Sequence, residues 1–413
     1  MMRDRSFRQA KLTLISLSLG MLAFGPALAK TMPSERAARA LHERILTLDT
    51  HLDTPAVVAR PGFDILKHND WKTAFAQVDV PRMKAGGLDG GFWVIYTAQG
   101  PRTPEGLNAA RDAGLMRAVV IREMLARSPK VFGLALKADD AAKIAAEGKR
   151  VVFMSIENSY PLAKDVSLLE TFYKLGVRMV GPVHFATNDW ADSSTDKAEW
   201  GGLSPLGKQL VAEANRLGMI LDQSHASDQV LDQMLELSSA PIIASHSGCK
   251  AIYDHPRNLD DDRLKALAAK GGVIQMNAFG AYLKPLPQSP ERRAALAKLA
   301  AAYPNLASRS QAEQEAFRQA RVRLDAAFPE NRATFDDFMA HLLHAIRLIG
   351  VDHVGIGIDW DGGGGVVGLE DASKVWKITQ ALMAEGYSEE DIAKIWGGNV
   401  LRVMREVEAK AQK

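Results

Sequence analysis

Short apolar runs that alternate with helical patterns are the feature that most limits how this chain of 413 residues can fold. About eight runs have the length and composition of β-strands. They cover residues 45–53, 88–97, 151–157, 178–184, 219–225, 241–247, 271–277 and 353–361. Most are apolar on both faces, as strands buried in a parallel sheet are. The pattern therefore predicts a parallel sheet with helices packed on it.

Helical patterns occupy the segments between these runs. They cover residues 34–44, 104–126, 138–147, 167–175, 205–217, 227–237, 261–269, 335–349, 372–384 and 388–408. Alternation of strand and helix favours an α/β fold and, with about eight strands, a (β/α)8 TIM barrel. An open doubly wound sheet is the alternative, although no G-x-G-x-x-G motif follows a strand. Residues 285–329 are rich in Ala, Arg and Gln, and we interpret them as a helical insertion before the last strand.

The N-terminus has the features of a secretory signal. A basic region ends at Lys11, an apolar segment covers residues 12–24, and residues 26–29 form a small-x-small cleavage site. The apolar segment is shorter than the ~20 residues that a membrane span needs. We therefore predict a signal peptide at residues 1–29, a single barrel domain at 30–413, and an exported protein without a stable membrane anchor after cleavage.

Composition excludes several classes of partner and of metal site. The chain is 47% hydrophobic and 24% charged, which is typical of a globular protein. The formal charge is +2, and residues 1–29 carry four basic residues against Asp4, a net of +3, which leaves −1 for the rest. This near-neutral balance gives no electrostatic reason to expect nucleic acid or an anionic membrane as a partner. Cys249 is the only cysteine, so no intrachain disulfide can form, and a metal site must use His, Asp and Glu.

Side chains that can bind a metal or carry a proton stand at the ends of most of the predicted strands. They are His51 with Asp53, Glu157, His184, His225, His246, and Asp359 with Asp361. The carboxyl ends of barrel strands form one rim, so we expect these side chains at one catalytic face. His51 and Asp53 would share one face of their strand and form a pincer for a divalent cation.

The other histidines serve as a comparison. His42, His341 and His344 fall in predicted helices, His68 in a loop, and His353 at the start of a strand. We interpret these five as structural or solvated. His255 lies in a loop near the rim, and its role is left open.

Together these residues occur in motifs that resemble the renal or membrane dipeptidase family of zinc peptidases. The motifs are DTHLDTP (49–55), SIE (155–157), His184 with NDWAD (188–192), DQSHAS (222–227), SHS (245–247) followed by DHPRN (254–258), and GIGIDWDG (355–362). The likeness covers about residues 40–405, and SHS followed by DHPRN is its most distinctive part.

The resemblance implies a barrel of the metal-dependent hydrolase type with two zinc ions per chain. By matching position, the ligands would be His51 and Asp53 for one ion, His225 and His246 for the other, with Glu157 as the bridge. A carboxylate can span two ions about 3.5–4 Å apart. A water shared between two such ions loses a proton near neutral pH, and the resulting bridging hydroxide can attack a peptide carbonyl.

The resemblance also implies the residues that act on the substrate. His184 would lie near the substrate carbonyl and can donate to the developing oxyanion. Asp359 would carry the proton to the leaving amine, which departs only when protonated. Arg257 would bind a free C-terminal carboxylate, which its planar fork matches. Because this clamp limits how much chain can follow the scissile bond, we expect dipeptides as substrates, including dipeptides with C-terminal D-residues.

Some features depart from the family or stay open. Asn158 follows the bridging glutamate, where family members usually carry a small residue such as Gly, and it is expected to narrow or re-orient the site. Mammalian members are disulfide-linked and lipid-anchored, and with one cysteine and no C-terminal anchor signal this chain is expected to be neither. The export signal and the lack of disulfides suggest a bacterial periplasmic protein. Barrels of this type often pair, and a homodimer is left open because the sequence identifies no interface.

Two other functions remain as alternatives. A related barrel metallohydrolase would share the metals but act on another amide, a lactam or an ester, without the carboxylate clamp. A non-catalytic exported binding protein would keep the barrel, although the presence of Asp359 beside the whole ligand set speaks against it.

Overall fold

The computed structural model describes residues 32–304, 306 and 309–412, and the predicted signal peptide at residues 1–29 lies outside them. The described residues belong to one compact unit. Their strands, in chain order, are β1 (Leu48–Leu52), β2 (Gly90–Ile95), β3 (Phe132–Leu134), β4 (Arg150–Ile156), β5 (Val177–Val180), β6 (Ile220–Leu221), β7 (Ile243–Cys249), β8 (Asn258–Leu259), β9 (Val273–Met276) and β10 (Val354–Ile356).

Eight of these strands form the barrel that the sequence predicts. β1, β2, β4, β5 and β6 are neighbours in one parallel sheet, and β7, β9 and β10 are neighbours in another. Two further parallel bridges join the sheets, Asp222 with Ile243 and Leu52 with Trp360. The strand order therefore closes on itself, which confirms the (β/α)8 barrel over the open doubly wound sheet. β3 and β8 are additional, and pair with β4 and β7 respectively.

Helices follow nearly every strand. They are α1 (Glu35–His42), α2 (Thr54–Val58), α3 (Trp71–Ala74), α4 (Val80–Gly86), α5 (Pro104–Arg127), α6 (Asp140–Ala146), α7 (Leu168–Leu175), α8 (Pro205–Leu217), α9 (Asp228–Leu237), α10 (Asp261–Ala269), α11 (Gly280–Leu283), α12 (Pro290–Ala302), α13 (Gln311–Ala327), α14 (Phe335–Ile349), α15 (Trp376–Ala384), α16 (Glu389–Ala393) and α17 (Asn399–Lys410). Within the described part of the chain, none of them has the length and hydrophobicity that crossing a lipid bilayer requires.

Every helical segment predicted from the sequence contains a helix. Side-chain caps explain the accuracy of several starts, since Thr103, Ser204 and Ser227 each accept a backbone N–H of the first turn. The predicted insertion is helical, as α12 and α13. The helices that pattern reading missed are α2, α3, α4 and α11, which have four to seven residues. Such lengths are too short to repeat a helical period clearly.

Several polar residues predicted at strand ends lie in loops instead. β5, β6 and β10 stop earlier than predicted, and the loops that follow carry His184, His225, Asp359 and Asp361. His225 and Asp359 each have a φ of 73°, a left-handed conformation that a β-strand cannot contain. β7, by contrast, ends later than predicted, because it continues past His246 to Cys249.

The barrel interior changes from apolar to polar along its strands. Val151 and Phe153, at the start of β4, belong to a buried apolar cluster that includes five residues of α17. Ser155 and Glu157 follow on the same side of β4, because side chains alternate between the two faces of a strand. The amino end of the barrel is therefore filled, and polar chemistry is confined to the carboxyl end, as in other barrels of this kind.

A buried histidine links α1 to the C-terminal helices. His42 Nδ1 lies 2.7 Å from the Thr379 hydroxyl, which also accepts a hydrogen bond from Trp396 Nε1 at 2.8 Å. The rings of His42 and Trp396 meet edge to face, with centroids 5.0 Å apart. Burial lowers the pKa of His42 to about 4, so the folded protein keeps this imidazole neutral.

We expect His42 to make folding stability depend on pH. Below pH ~6.5 the unfolded chain protonates this imidazole, whereas the folded protein resists protonation until about pH 4, so stability is lost as the pH falls through this window. Between pH 7.5 and pH 5, the free energy of unfolding should drop by roughly 2 kcal/mol more in the parent than in His42→Gln. Chemical denaturation at both pH values measures this, with substitution of the exposed His68 by Gln as the control. Equal drops in the parent and in His42→Gln would contradict the prediction.

Candidate metal centre

The barrel brings the five predicted metal ligands together at its carboxyl end. His51 is in β1, Asp53 directly precedes α2, and Glu157 follows β4. His225 lies in the turn after β6, and His246 is in β7. All five are buried, with at most 8% of their surface exposed. Four strands, or the residues directly after them, therefore bring these side chains into one buried group.

One oxygen of Glu157 lies at the middle of this group. Distances from Glu157 Oε1 are 3.0 Å to His225 Nε2, 3.5 Å to both His51 Nε2 and His246 Nε2, and 3.6 Å to His184 Nε2. His51 Nε2 is also 3.4 Å from Asp53 Oδ2. A carboxylate that faces four imidazole nitrogens is placed as a shared ligand rather than as half of a simple ion pair.

Three overlapping sets of side chains have ligand atoms within 4.8 Å of one another. They are His51 with Glu157 and His246, Glu157 with His184 and His225, and His51 with Asp53 and Asp359. Glu157 and His51 each belong to two sets. Asp359, predicted as a proton carrier, is therefore also close enough to the ligands to touch a bound ion.

Several of these ligand atoms are buried without a hydrogen-bond partner. Both ring nitrogens of His51, Nδ1 of His225 and Oδ1 of Asp53 are in this state. His225 Nε2 and His246 Nε2 face each other at 2.8 Å, where two neutral rings can share only one proton. Buried polar atoms seldom remain unpaired. A divalent cation would satisfy them, and imidazole with carboxylate is a donor set that zinc binds, so these residues fit a metal.

Burial shifts the pKa values of the acids and the bases in opposite directions. It raises the pKa of Glu157 well above its usual range and lowers that of His225 and His246 well below theirs. Burial also lowers the pKa of His51, but the carboxylates of Glu157 and Asp53 outweigh it and raise the value to about 10. A bound cation would favour the charged carboxylates and the neutral imidazoles, which is the state that coordinates a metal.

Arg257 places a buried guanidinium beside the centre. Its terminal nitrogens lie 3.0 Å from the carbonyl oxygen of His246 and 3.5 Å from Ser247 Oγ, whereas its Nε has no partner. The guanidinium carbon lies 5.2 Å from the ring centroid of Tyr282, a residue that the sequence did not single out. His255 contributes from the same loop, since its Nδ1 accepts the Arg257 backbone N–H at 3.2 Å. The unpaired donor is suited to an anionic group of a ligand.

His184 forms one wall of the centre together with two aromatic side chains. The Tyr96 hydroxyl lies 3.5 Å from His184 Nδ1, and the Phe185 ring is 4.0 Å from the His184 ring. Burial, helped by the charge of Arg257, lowers the pKa of His184 to about 3, so its imidazole is neutral near pH 7. Phe185 is 48% exposed, and this wall therefore presents apolar surface to an incoming molecule.

A run of glycines holds Asp359 close to Asp53. A Cβ on Gly362 would lie 2.1 Å from Asp53 Oδ2 and 2.2 Å from Asp359 Oδ1, so a side chain there would displace both carboxylates. The N–H of Gly364 donates to the Asp359 carbonyl oxygen at 2.8 Å. Burial raises the pKa of Asp359 to about 8, although the charge of His51 opposes the shift.

Asp361, which we expected at the same face, turns away from the ligands. Its Oδ1 accepts the backbone N–H of Gln77 at 2.5 Å, and its Oδ2 accepts the Thr54 hydroxyl at 2.7 Å. Asp361 therefore connects the loop after β10 to the start of α2, beside the predicted ligand Asp53.

Asp49 is a supporting residue that strand-end reasoning missed. Its carboxylate accepts the His51 backbone N–H at 2.9 Å and the Ile358 backbone N–H at 3.2 Å. The signal was present in the sequence, because Asp49 directly follows the apolar start of a strand predicted to be buried, and a buried aspartate must be paired.

The side chain of Asn158 does not enter the centre, contrary to expectation. Its Nδ2 donates to the Thr97 carbonyl at 3.2 Å, and its Oδ1 accepts from Tyr160 N at 3.0 Å and Asn188 Nδ2 at 3.1 Å. Asn158 thus braces the loops behind Glu157 and does not narrow the site.

Three of the other histidines find partners elsewhere in the fold. His341 Nε2 lies 3.0 Å from the Leu283 carbonyl oxygen, His344 Nε2 lies 2.8 Å from Asp261, and His353 Nδ1 lies 2.8 Å from the Gly272 carbonyl oxygen. Together with His42, these contacts agree with a structural interpretation of the four residues.

Comparison with known proteins places this geometry in a family. Residues 35–413 match the family described as membrane dipeptidase (Peptidase family M19). Dipeptidase tcpJ of Claviceps purpurea is 32% identical over 370 residues, which cover 83% of this chain and 76% of that protein. Dipeptidase aclJ of Aspergillus oryzae is 30% identical and covers 96% and 89% respectively. The crystal structure of the probable dipeptidase PvdM from Pseudomonas aeruginosa superposes with a TM-score of 0.77 at 34% identity, over 91% of this chain and 98% of that one.

We predict that Gly362→Ala damages the centre without unfolding the barrel. The added methyl group would overlap the carboxylates of Asp53 and Asp359, and zinc affinity should fall by about tenfold or more. Gly398→Ala is the matched control, because its nearest neighbour atom would be 3.3 Å from the new Cβ. Zinc affinity by chelator competition, with thermal unfolding of both variants, measures the difference. Unchanged affinity in Gly362→Ala would show that the loop does not position these carboxylates.

Proposed function

Because the chain belongs to the membrane dipeptidase family (Peptidase family M19), we propose that it is a dinuclear zinc enzyme that hydrolyses the peptide bond of dipeptides. Family membership makes it a hydrolase of the metallo-dipeptidase type. The observation that carries the zinc proposal is the Glu157 carboxylate, which faces four imidazole nitrogens at 3.0–3.6 Å.

The proposed ligands fall into two groups around Glu157. His51 and Asp53 would hold one zinc ion, His225 and His246 the other, and Glu157 would reach both. When bound, the zinc ions would supply Lewis-acid polarisation of the substrate carbonyl and a water of lowered pKa. The buried, unpartnered nitrogens of His51 and His225 support this division, because each needs a partner that the protein does not provide.

Arg257 would select substrates with a free carboxylate close to the scissile bond. Its guanidinium is buried, is held by the His246 carbonyl, and keeps Nε unpaired. A carboxylate would satisfy it in a two-point contact. Since that contact is fixed next to the ligand His246, little chain fits between the carboxylate and the reacting bond, which favours dipeptides over longer peptides.

His184 and Asp359 would stabilise charge and move the proton. A neutral His184 can donate one ring N–H to an oxyanion that develops on the substrate carbonyl. Asp359 lies beside Asp53, and burial raises the pKa of its carboxyl to about 8, a shift that helps it to hold a proton. Passing this proton to the leaving amine would complete hydrolysis.

Three further properties are proposed on sequence evidence alone. The enzyme would accept dipeptides with C-terminal D-residues, as the family resemblance implies. It would be exported to a bacterial periplasm, since residues 1–29 combine a basic region, an apolar segment and a cleavage site. The homodimer stays a prediction that size analysis of the purified protein would test.

Metal content and turnover provide the primary test. We expect about two zinc ions per chain, loss of dipeptide hydrolysis on chelation, and recovery when zinc is restored. Asp359→Asn should retain zinc and lose about 10²-fold or more in kcat, as expected for a proton carrier. Two metals without dipeptide turnover would instead indicate hydrolysis of another amide, lactam or ester. A chain that binds no metal would contradict the proposal.

Substitution of Arg257 tests the carboxylate clamp separately. Arg257→Ala should lower kcat/KM for a free dipeptide by roughly 10–100-fold, mainly through KM, because charged hydrogen bonds are lost. For the same dipeptide with a C-terminal carboxamide the loss should be much smaller. Arg257→Lys keeps the charge but not the fork and should be intermediate. Equal losses for the acid and the amide would mean that Arg257 does not bind the substrate carboxylate.

A further inference from the structure

We infer that Asp222 and Ser245 are positioning residues that hold His246 in the one tautomer able to bind a metal. The inference rests on the proposed metal-dependent function. It assigns a role to two buried residues that touch neither the substrate clamp nor the proton carrier.

A continuous series of hydrogen bonds runs from Asp222 to the ring of His246. The Ser245 hydroxyl lies 2.6 Å from Asp222 Oδ2 and 2.8 Å from His246 Nδ1. Asp222 Oδ1 accepts two backbone N–H groups, from Ser224 at 3.0 Å and from Ser245 at 2.8 Å. All four residues are at most 2% exposed, so water does not compete for these contacts.

The number of protons in this series determines which nitrogen of His246 is free. A carboxylate that three donors surround acts only as an acceptor, so the Ser245 hydroxyl gives its single proton to Asp222. The Ser245 oxygen can then only accept from His246, which requires a proton on Nδ1. A neutral imidazole protonated at Nδ1 keeps its lone pair on Nε2. Nε2 is the atom that lies 3.5 Å from Glu157 Oε1, within the metal centre.

The other imidazoles of the centre are oriented less firmly. His51 has no hydrogen-bond partner at either ring nitrogen, and His225 has none at Nδ1. His184 Nδ1 is 3.5 Å from the Tyr96 hydroxyl, at the limit of a hydrogen bond. His246 is held through its ring and through its backbone, because its backbone N–H also donates to Ser224 Oγ at 3.0 Å.

We call the series of hydrogen bonds from Asp222 through Ser245 to His246 the relay. Two substitutions distinguish the relay from simple packing of these side chains. Ser245→Ala removes the acceptor for the Nδ1 proton, and zinc affinity should fall about 10-fold. Asp222→Asn keeps the shape but places a donor beside Ser245, whose hydroxyl then donates to Nδ1 and moves the ring proton to Nε2. Zinc affinity should therefore fall further, by about 100-fold. In the double variant the new donor has no serine to act through, so affinity should return to that of Ser245→Ala.

Zinc affinity of the full chain is measured by chelator competition for the parent, both single variants and the double variant. Ser155→Ala is the matched control. Ser155 is a buried serine on β4, two residues before the ligand Glu157, and its hydroxyl has no hydrogen-bond partner. Its substitution should change zinc affinity by less than about twofold. Thermal unfolding of each variant establishes that the folded protein is being compared.

A second readout depends neither on zinc nor on the substitutions at Asp222 and Ser245. Nitrogen-15 NMR of the histidine rings in the metal-free parent, assigned with His246→Gln, should show Nδ1 of His246 protonated. An unprotonated Nδ1, or additive losses of affinity in the double variant, would overturn the relay. A parent that shows this tautomer but binds no zinc would support the relay and refute the proposed function.

Discussion

Burial of the Glu157 carboxylate among imidazoles is the constraint on which the rest of the centre depends. An unpaired carboxylate at this depth would be strongly destabilising, because the protein interior solvates charge poorly. Here one of its oxygens faces four imidazole nitrogens, and its pKa is raised well above the usual range. A bound cation would favour charged carboxylates and neutral imidazoles in such a group. The candidate ligands therefore depend on one another, and removal of any member leaves another buried and unpaired.

The barrel separates this polar unit from the residues that stabilise the fold. Val151 and Phe153 fill the amino end together with α17, whereas Glu157 opens the carboxyl end. The residues that stabilise the fold can then lie at the amino end, away from the predicted ligands, a division common to barrels. The insertion leaves the barrel after β9, at the carboxyl end, where α13 packs on α12 and on the short helix α3; none of its described residues belongs to the three sets of candidate ligands.

Sequence reasoning predicted the barrel and the meeting of the candidate ligands at its carboxyl end for one reason, and it missed the local conformation of some of these residues for another. Hydrophobic periodicity reports burial, so all eight barrel strands and the polar residues near their ends were visible. Periodicity carries no information about positive φ, which is why His225 and Asp359 were assigned to strands although both sit in left-handed turns. Periodicity also does not show in which direction a polar side chain points. Asn158 and Asp361 were expected to act in the centre, and the hydrogen bonds that turn them away involve Thr97 and Gln77, which are distant in sequence.

The seam where the barrel closes, between β1 and the segment after β10, is built from residues next to the predicted centre. β1 and the segment after β10 share a single bridge, between Leu52 and Trp360. Beyond this bridge, carboxylates supply further contacts between the two segments. Asp49 accepts the Ile358 backbone N–H, and Asp361 accepts the Thr54 hydroxyl. Each of these four contact points lies within one or two residues of a ligand or of Asp359. We therefore expect a change that loosens the seam to displace His51, Asp53 and Asp359 together, because these residues and the polar contacts of the seam share the same short segments.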